Sequence, residues 1–327
     1  MKTLIKALLW LLLIIVIFII GALLYVKLAL PNVGPAPKLK VNSSAEHVAK
    51  GEYLANHVCV CIDCHSKRDQ TLFSAPPIAG TIGMGGELFD QKYGFPGAYY
   101  AKNITPEGIS RYTDGELLRA ITTGVDKDGK ALFPVMMYHY YGQMDQEDIK
   151  DIIAYIRTLK PIKNEVPLSV SDFPMNFIIN MIPEKAHFTK CPANSDTLAY
   201  GRYLTNAAGC MECHTQVDKG RLIAGTEFGG GRAFPFPDGS VANSANITPD
   251  KETGIGGWSE EQFLKMFRVR NDSAALATHL KPSETNTIMP WVMYGGMSDE
   301  DLSAIFKFLQ SVKPITNHIV KFTKAKN

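Results

Sequence analysis

The chain has 327 residues, a formal net charge of +2 and a hydrophobic content of 46%. That length allows about two domains of roughly 100–200 residues each. A nearly neutral chain without a basic arm or stripe does not fit nucleic-acid binding, so no nucleic-acid partner is expected. The nature of the partners must therefore be predicted from the chemistry of the motifs.

The N-terminus contains an uncharged run from Ala7 to Val26, preceded by two lysines. At about 1.5 Å per residue, a helix over this run spans roughly 30 Å, the thickness of the hydrocarbon core of a bilayer. A cleaved signal peptide is the alternative, but its apolar region usually has only about 7–15 residues and ends in small ones. We predict a transmembrane anchor at 1–30, followed by an extended Pro-rich spacer at 31–45.

The orientation of this anchor follows from its flanking charges. Lysines before the run favour an N-terminus in the cytoplasm. The rest of the chain is then expected on the periplasmic side of the inner membrane.

The remainder of the chain contains an internal repeat. Three segments recur at separations of 143 to 153 residues: GEYLANHVCVCIDCHS (51–66) as GRYLTNAAGCMECHT (201–215), NITP (103–106) as NITP (246–249), and 144–161 as 297–314. A period of this size indicates a repeated whole domain rather than a short solenoid unit. Asn103 and Asn246, which open the NITP segments, are expected to form turns.

Two domains follow from this repeat, at 46–164 and 191–327, joined by an inter-domain connection at 165–190. In each copy a short helix is predicted through the Gly-x-Tyr-Leu segment. A second helix is predicted near Asp145 or Ser298, where Ser298 and an aspartate three residues later have the form of a capping box. Apolar residues then recur at helical spacing: Ile149, Ile152, Ile153 and Ile156, and Leu302, Ile305, Phe306 and Leu309. Strand signals are sparse, so the fold class is mainly α.

Each copy carries one C-x-x-C-H motif, Cys61-Ile62-Asp63-Cys64-His65 and Cys210-Met211-Glu212-Cys213-His214. This pattern is the attachment signature of c-type haem. Two cysteines three apart lie on one helical face and can bond the vinyl groups of a porphyrin, and the histidine then becomes the proximal ligand. A redox dithiol or half of a zinc site needs no trailing histidine. We therefore predict two covalently bound haem c groups, held by Cys61, Cys64, His65, Cys210, Cys213 and His214.

The sixth iron ligand distinguishes a carrier from a haem enzyme, because a methionine blocks the iron from substrates. Met144 and Met297 directly precede helix caps and are expected to pack as hydrophobic staples. Aligning the copies through their KPI endings superposes Met136 on Met289, each in a loop beside or near a proline. The predicted metal ligands are His65, Met136, His214 and Met289, with Met137 the main alternative and His139 a possible competitor in the first domain.

Two cysteines and two tryptophans outside the motifs also allow predictions. Cys59 and Cys191 remain after the motifs are assigned, and they could pair or remain two free thiols. Trp258 and Trp291 are expected to pack around the second haem.

At this point the sequence resembles the class I cytochrome c domains of membrane-anchored dihaem cytochromes, like the cytochrome subunits of bacterial membrane dehydrogenases. The resemblance covers nearly everything after residue 45, through G-x-Y-L…C-x-x-C-H, N-I-T-P, the F-P-x-M or M-P-W loop, and D-E-D-L. It implies a transmembrane helix followed by two tandem class I cytochrome c domains, with Met136 and Met289 as distal ligands. Such subunits often carry three haem domains, whereas this chain has two.

The expected function is that of a membrane-tethered electron carrier between a dehydrogenase or quinol-oxidising donor and a respiratory acceptor. The expected redox partners are a dehydrogenase, a respiratory complex or a soluble cytochrome. No acid–base pair or nucleophile constellation stands out, so the chain is not expected to be an enzyme. The alternatives are an obligate cytochrome subunit of a membrane dehydrogenase complex, and a dihaem peroxidase or oxidoreductase with one iron not ligated by methionine.

Overall fold

A computed structural model describes residues 1–281 and 286–324 of the chain. The helices are α1 (Lys2–Leu28), α2 (Ala45–Tyr53), α3 (Cys61–Cys64), α4 (Pro106–Ile109), α5 (Asp114–Thr123), α6 (Tyr138–Tyr141), α7 (Gln146–Ile156), α8 (Met175–Ile178), α9 (Thr197–Ala207), α10 (Cys210–His214), α11 (Glu260–Arg268), α12 (Ser273–Leu276), α13 (Trp291–Tyr294) and α14 (Asp299–Ser311). The strands are β1 (Leu88–Phe89), β2 (Gly97–Tyr100), β3 (Val170–Ser171), β4 (Val217–Asp218), β5 (Arg221–Leu222), β6 (Ala233–Pro235), β7 (Val241–Asn243) and β8 (Phe322–Thr323). We call residues 45–164 the first half and the described residues from 191 onward the second half.

The first helix, α1, contains the apolar run predicted from the sequence. Its 27 residues make it about 40 Å long, and none of them is buried against the rest of the chain. In the described part of the chain, one helix is long and apolar enough to cross a membrane, and that helix is α1.

The spacer after α1 is extended, and it is held against the first half. Val41, at its end, is buried, and its N–H donates to the Asp114 carboxylate at 3.0 Å. The spacer between α1 and the first half is therefore held in place by a hydrogen bond to the first residue of α5.

Each half is built around a crossing of two helices, α2 with α7 and α9 with α14. At the crossing points, Gly51 faces the carbonyl oxygen of Asp151 and Gly201 faces that of Ala304. A Cβ at either glycine would overlap that oxygen, so the helices can approach this closely only at a residue without a side chain. This close approach explains the glycine of the repeated Gly-x-Tyr-Leu segment.

The predicted start of the last helix is confirmed, but its capping box is only half formed. Ser298 is the N-cap of α14, and its hydroxyl accepts from the Asp301 N–H at 3.1 Å. In a full capping box the Asp301 side chain would accept from the Ser298 N–H. Here Tyr53 of the first half takes that place. The Tyr53 hydroxyl accepts from the Ser298 N–H at 3.0 Å and donates to the Asp301 carboxylate at 2.5 Å. A tyrosine from one half thus completes the helix cap of the other.

The same arrangement occurs in the opposite direction. Asp145 caps α7, and its N–H donates to the Tyr203 hydroxyl at 2.9 Å. Tyr203 in turn donates to the carboxylate of Asp148. The two halves therefore meet through a self-complementary contact, as in a two-fold dimer interface. The tyrosine of each Gly-x-Tyr-Leu segment therefore serves to join the two halves.

The two copies differ in the helix that leads to the cysteines. In the second half α9 is regular, whereas the first half has a π-helical turn at Leu54–Val58, closed by a bond from the Cys59 N–H to the Leu54 carbonyl at 2.7 Å. The first copy has one more residue between the repeated glycine and its first motif cysteine. The π turn accommodates this extra residue.

The strands form three small antiparallel sheets, ordered β1-β2-β3, β4-β5 and β6-β7-β8. They are short, in agreement with the sparse strand signals. In the first sheet Leu88 lies opposite Tyr100, and β3, which belongs to the connection, pairs Val170 with Ala98. The connection at 165–190 is thus attached to the first half by strand pairing. Further along, the His187 N–H donates to the Gly142 carbonyl at 2.8 Å.

Candidate haem sites

The two motif helices, α3 and α10, each begin after a residue in the left-handed conformation, Val60 with φ 47° and Gly209 with φ 63°. This residue turns the chain from the preceding helix into the motif. Glycine adopts it readily, whereas a β-branched valine does so rarely, so Val60 is held there by its buried surroundings. Both motifs therefore enter their sites through the same turn.

The motif histidines are fixed by the same bond in both halves. Nδ1 of His65 lies 2.6 Å from the Lys102 carbonyl, and Nδ1 of His214 lies 2.7 Å from the Ala245 carbonyl. A carbonyl oxygen only accepts, so Nδ1 carries the hydrogen and Nε2 keeps a free lone pair. Burial lowers the pKa of both rings, which favours the neutral form that can ligate a metal.

The repeated NITP segments hold these two carbonyls in place. Asn103 and Asn246 directly follow them, and their side-chain amides donate to the carbonyls of Ile162 at 2.8 Å and Ile315 at 2.6 Å. Those isoleucines are the last residues of the two KPI endings. The asparagines do form turns, since the Asn246 side chain also accepts from the Thr248 N–H at 2.9 Å. The sequence did not show that they also tie the histidine acceptor to the end of the domain.

A cavity of about 740 Å³ lies next to the second motif. Cys210, His214 and Met289 line it together with Trp258 and Trp291 and a mostly apolar wall. The volume lies within the range of cofactor pockets, roughly 300–1,000 Å³. An imidazole, one of the two motif thiols and a thioether therefore surround one apolar cavity, and these are groups that can hold c-type haem. The residues present therefore fit that cofactor, and both tryptophans are among the residues that line the cavity.

Other uses of the cysteines fit less well. Burial raises the pKa of Cys61 and Cys64 to about 12, whereas a redox dithiol needs a lowered thiol pKa. Among the described residues, no group of three or more His, Cys, Asp or Glu side chains could hold a metal ion. Neither a dithiol nor a zinc site is supported.

The candidate methionine ligands occupy equivalent turns. The Met289 carbonyl accepts from the N–H of Trp291, and the Met136 carbonyl accepts from the N–H of Tyr138. The side chain of Met137, the main alternative, instead packs against Gly209, where any added side chain would overlap its sulfur. Met137 is thus directed toward the second motif, which favours Met136 as the ligand of the first half.

The acidic residue of the second motif receives partners from both halves. Glu212 accepts from Arg232 at 2.6 Å, lies 3.5 Å from Nε2 of His139, and accepts from the Tyr140 hydroxyl at 3.3 Å. Burial alone would raise the pKa of Glu212, but the hydrogen bonds from His139 and Arg232 outweigh it and lower the pKa to about 2. His139, a possible competitor for the first iron, is engaged here instead.

The equivalent acid of the first motif has a different environment. Arg68 contacts the carboxylates of both Asp63, at 3.3 Å, and Glu87, at 2.6 Å. Burial raises the pKa of Asp63 to about 6, and the shared arginine offsets it only in part.

The loop that carries Met289 is attached to the first half. The Ser74 hydroxyl donates to the Met289 carbonyl at 3.1 Å, and the Ser74 N–H donates to the Asn286 side chain at 2.8 Å. Asn286 donates back to the Leu72 carbonyl at 2.9 Å, and the Phe73 N–H donates to the Thr278 carbonyl at 3.0 Å. Sequence reasoning missed this attachment because the loop before Met289 is longer than its counterpart and has no repeat partner.

Arg270 was also missed. Its guanidinium lies 4.5 Å from the centre of the Trp291 ring, and its side chain lines the cavity. A guanidinium in this position is suited to a carboxylate of the bound cofactor. Arg270 also lies outside the repeated segments, so the repeat gives no signal that it belongs to the site.

The two remaining cysteines do not pair. Cys59 is buried with its sulfur 3.8 Å from that of Met144, and Cys191 is half-buried beside the Pro192 carbonyl. The alternative of two free thiols is therefore the one that the structure shows.

Comparison with known proteins places the chain beside cytochromes c, although no family model matches it. The chain is similar to cytochrome c subunits of membrane dehydrogenases and to a dihaem cytochrome c, which confirms the predicted resemblance. These similarities support haem c as the cofactor.

Three relatives define the similarity. The cytochrome c subunit of alcohol dehydrogenase (quinone) from Gluconobacter oxydans is 27% identical over 285 residues, 82% of this chain and 55% of that protein. The fructose dehydrogenase cytochrome subunit from Gluconobacter japonicus is 28% identical over 306 residues, 87% of this chain and 57% of that protein. A dihaem cytochrome c-type protein from Cereibacter sphaeroides is 27% identical over 270 residues, 78% of this chain and 82% of that protein. The chain thus spans little more than half the length of the dehydrogenase subunits.

Proposed function

We propose that this chain is a membrane-tethered dihaem c-type cytochrome that carries electrons. One haem c is attached at each motif, and the iron ligands are His65 and Met136 in the first half and His214 and Met289 in the second. The main support is that both motif histidines donate Nδ1–H to a backbone carbonyl and keep Nε2 free. When bound, haem supplies a one-electron iron couple whose potential depends on the axial ligands and on burial.

The protein's own contribution is to hold and shield the cofactor. The bond from His214 to the Ala245 carbonyl fixes the plane of the proximal ring, and the mostly apolar cavity wall would keep part of the cofactor away from water. Met289 lines the same cavity, so a thioether is available to fill the position that a substrate would need. This arrangement favours a carrier over a peroxidase or oxidoreductase. The sequence repeat and the equivalent helix crossing in each half support two tandem cytochrome c domains at 46–164 and 191–327.

The tether is α1. A helix of 27 residues, none of them buried in the rest of the chain, matches a bilayer-spanning anchor. We place the haem-bearing halves on the periplasmic side of the inner membrane, since the lysines at the start of α1 favour a cytoplasmic N-terminus.

The partner class follows from the relatives. Several of them are cytochrome subunits of dehydrogenases, which supports a dehydrogenase as the electron donor. A respiratory complex or a soluble cytochrome is the acceptor that we propose. A permanent place as a subunit of such a complex is the second candidate function, and it uses the same haem chemistry.

Haem counting tests the core of this proposal. The full chain, purified in mild detergent, is expected to retain two haem groups per chain after denaturation and acid–acetone extraction, which removes only non-covalent haem. Cys213→Ser should weaken attachment at the second motif alone, and Cys191→Ser, at a free thiol, serves as the matched control. One haem per chain, or a high-spin iron that reacts rapidly with peroxide, would contradict the assignment.

Copurification separates the two candidate functions. A tagged chain extracted in mild detergent should bring a dehydrogenase with it in fixed ratio if it is an obligate subunit. A free-standing carrier should elute alone and accept electrons from the dehydrogenase only on mixing.

A further inference from the structure

The connection between the halves returns to the end of the membrane helix. The short helix Met175–Ile178 and the 3-10 turn Ile179–Met181 both pack against α1. The Lys27 ammonium lies 5.2 Å from the centre of the Phe177 ring. Lys27 is in the last turn of α1, so this part of the connection lies at the C-terminal end of that helix.

The same segment exposes large apolar side chains. Phe173 is 81% exposed, Met181 55% and Ile178 37%. Exposed apolar side chains that lie together in one short segment can form an interaction site. We call this set the apolar cluster, and its position beside α1 decides what it contacts.

We propose that the apolar cluster inserts into the outer surface of the phospholipid bilayer, at the boundary between head groups and acyl chains. This inference rests on the proposed role of α1 as a transmembrane anchor. If α1 spans the membrane, Lys27 reaches the head-group level, as a lysine at a helix end does. Phe177, held over Lys27, must then lie at the same depth, and the exposed neighbours of Phe177 face lipid rather than water.

The surrounding polar groups are compatible with this depth. Asp172 is exposed, and its carboxylate accepts a hydrogen bond from the Gln91 amide at 2.8 Å. Lys27 supplies a positive charge that suits anionic head groups. A second contact beside α1 would also fix how the two haem-bearing halves are oriented above the membrane, which a single tether does not.

Photocrosslinking tests the contact directly. The haem-loaded full chain is reconstituted in nanodiscs of phosphatidylethanolamine and phosphatidylglycerol, with Phe173→p-benzoylphenylalanine as the probe. Because this replaces one exposed aromatic side chain by another, the fold should be retained. Irradiation is expected to add the mass of one phospholipid to the chain. Val320, which is 70% exposed in the second half, receives the same probe as the matched control and should gain no lipid.

The outcomes separate this proposal from the anchor. A chain that stays in the nanodisc but gains no lipid at position 173 overturns the bilayer contact and leaves the anchor intact. A chain that leaves the nanodisc, or that has lost α1 by mass, overturns both. If Phe173 crosslinks to a copurified protein instead of lipid, the apolar cluster is a subunit interface and the proposal is wrong. The probe at Met181 repeats the test at an independent position.

Discussion

The two motifs have the same covalent chemistry, but their neighbours distribute charge differently. At the first motif one arginine, Arg68, serves two carboxylates, whereas at the second motif one carboxylate, Glu212, is served by Arg232 and His139. Burial accordingly raises the pKa of Asp63, while the pKa of Glu212 is held low. Similar motifs can thus have different electrostatic surroundings, because those surroundings come from segments that the repeat does not contain.

The comparison also shows that the second site depends on residues of the first half. The second site takes several contacts from the first half: Met137 against Gly209, His139 beside Glu212, and Ser74 on the Met289 carbonyl. Through these contacts, substitutions in the first half are expected to reach the haem of the second. Substitutions in either half can break this dependence or measure it.

Replacing the distal methionines should have the largest effect. Met289→Ala and Met136→Ala should each remove about half of the methionine-to-iron charge-transfer absorbance and lower the potential of one haem, since a methionine ligand raises it. Optical redox titration of the full chain distinguishes the two haems.

Met137→Ala is the matched control for that pair. Its sulfur packs against Gly209, so both charge-transfer bands should be retained, and the effect expected from the lost contact is a shift in the potential of the second haem. If Met137→Ala removes the absorbance and Met136→Ala does not, the assignment in the first half is wrong.

The sequence allowed much of this arrangement to be predicted because the repeat marks each local feature twice. Helix starts at Asp145 and Ser298 follow from capping residues and helical spacing, both of which are local. The partner of Asp301 could not be predicted, since Tyr53 is far away in the chain and only packing brings it to the cap. Ser74 was missed for the same reason, because it acts on a loop with no counterpart in the first copy.

Removing the tyrosine hydroxyls should weaken the contact between the halves. Tyr203→Phe leaves the Asp145 N–H without its acceptor and takes one donor from Asp148, both in buried residues. We expect a loss of about 2 kcal/mol in the free energy of unfolding, measured by denaturant titration. Tyr53→Phe should cost less, about 1 kcal/mol, because Ser298 is only half-buried.

Tyr155→Phe provides the control for this pair. Its hydroxyl accepts from Asn56 within the first half, at 3.0 Å, and makes no bridge to a cap. A stability loss at Tyr155 equal to that at Tyr203 would show that hydroxyl burial, rather than the cap contact, sets the cost.

The smallest expected effect tests whether Ser74 positions Met289. Ser74 has φ 61°, which glycine adopts readily, so Ser74→Gly removes the hydroxyl while relieving the backbone. Global stability should therefore change little. Losing one hydrogen bond worth about 1 kcal/mol should make displacement of Met289 by added imidazole about fivefold easier at the second haem. The first haem should respond as in the unsubstituted protein and serves as the internal reference. If imidazole binds both haems unchanged, the Ser74 contact is structural and the second site does not depend on the first half through this bond.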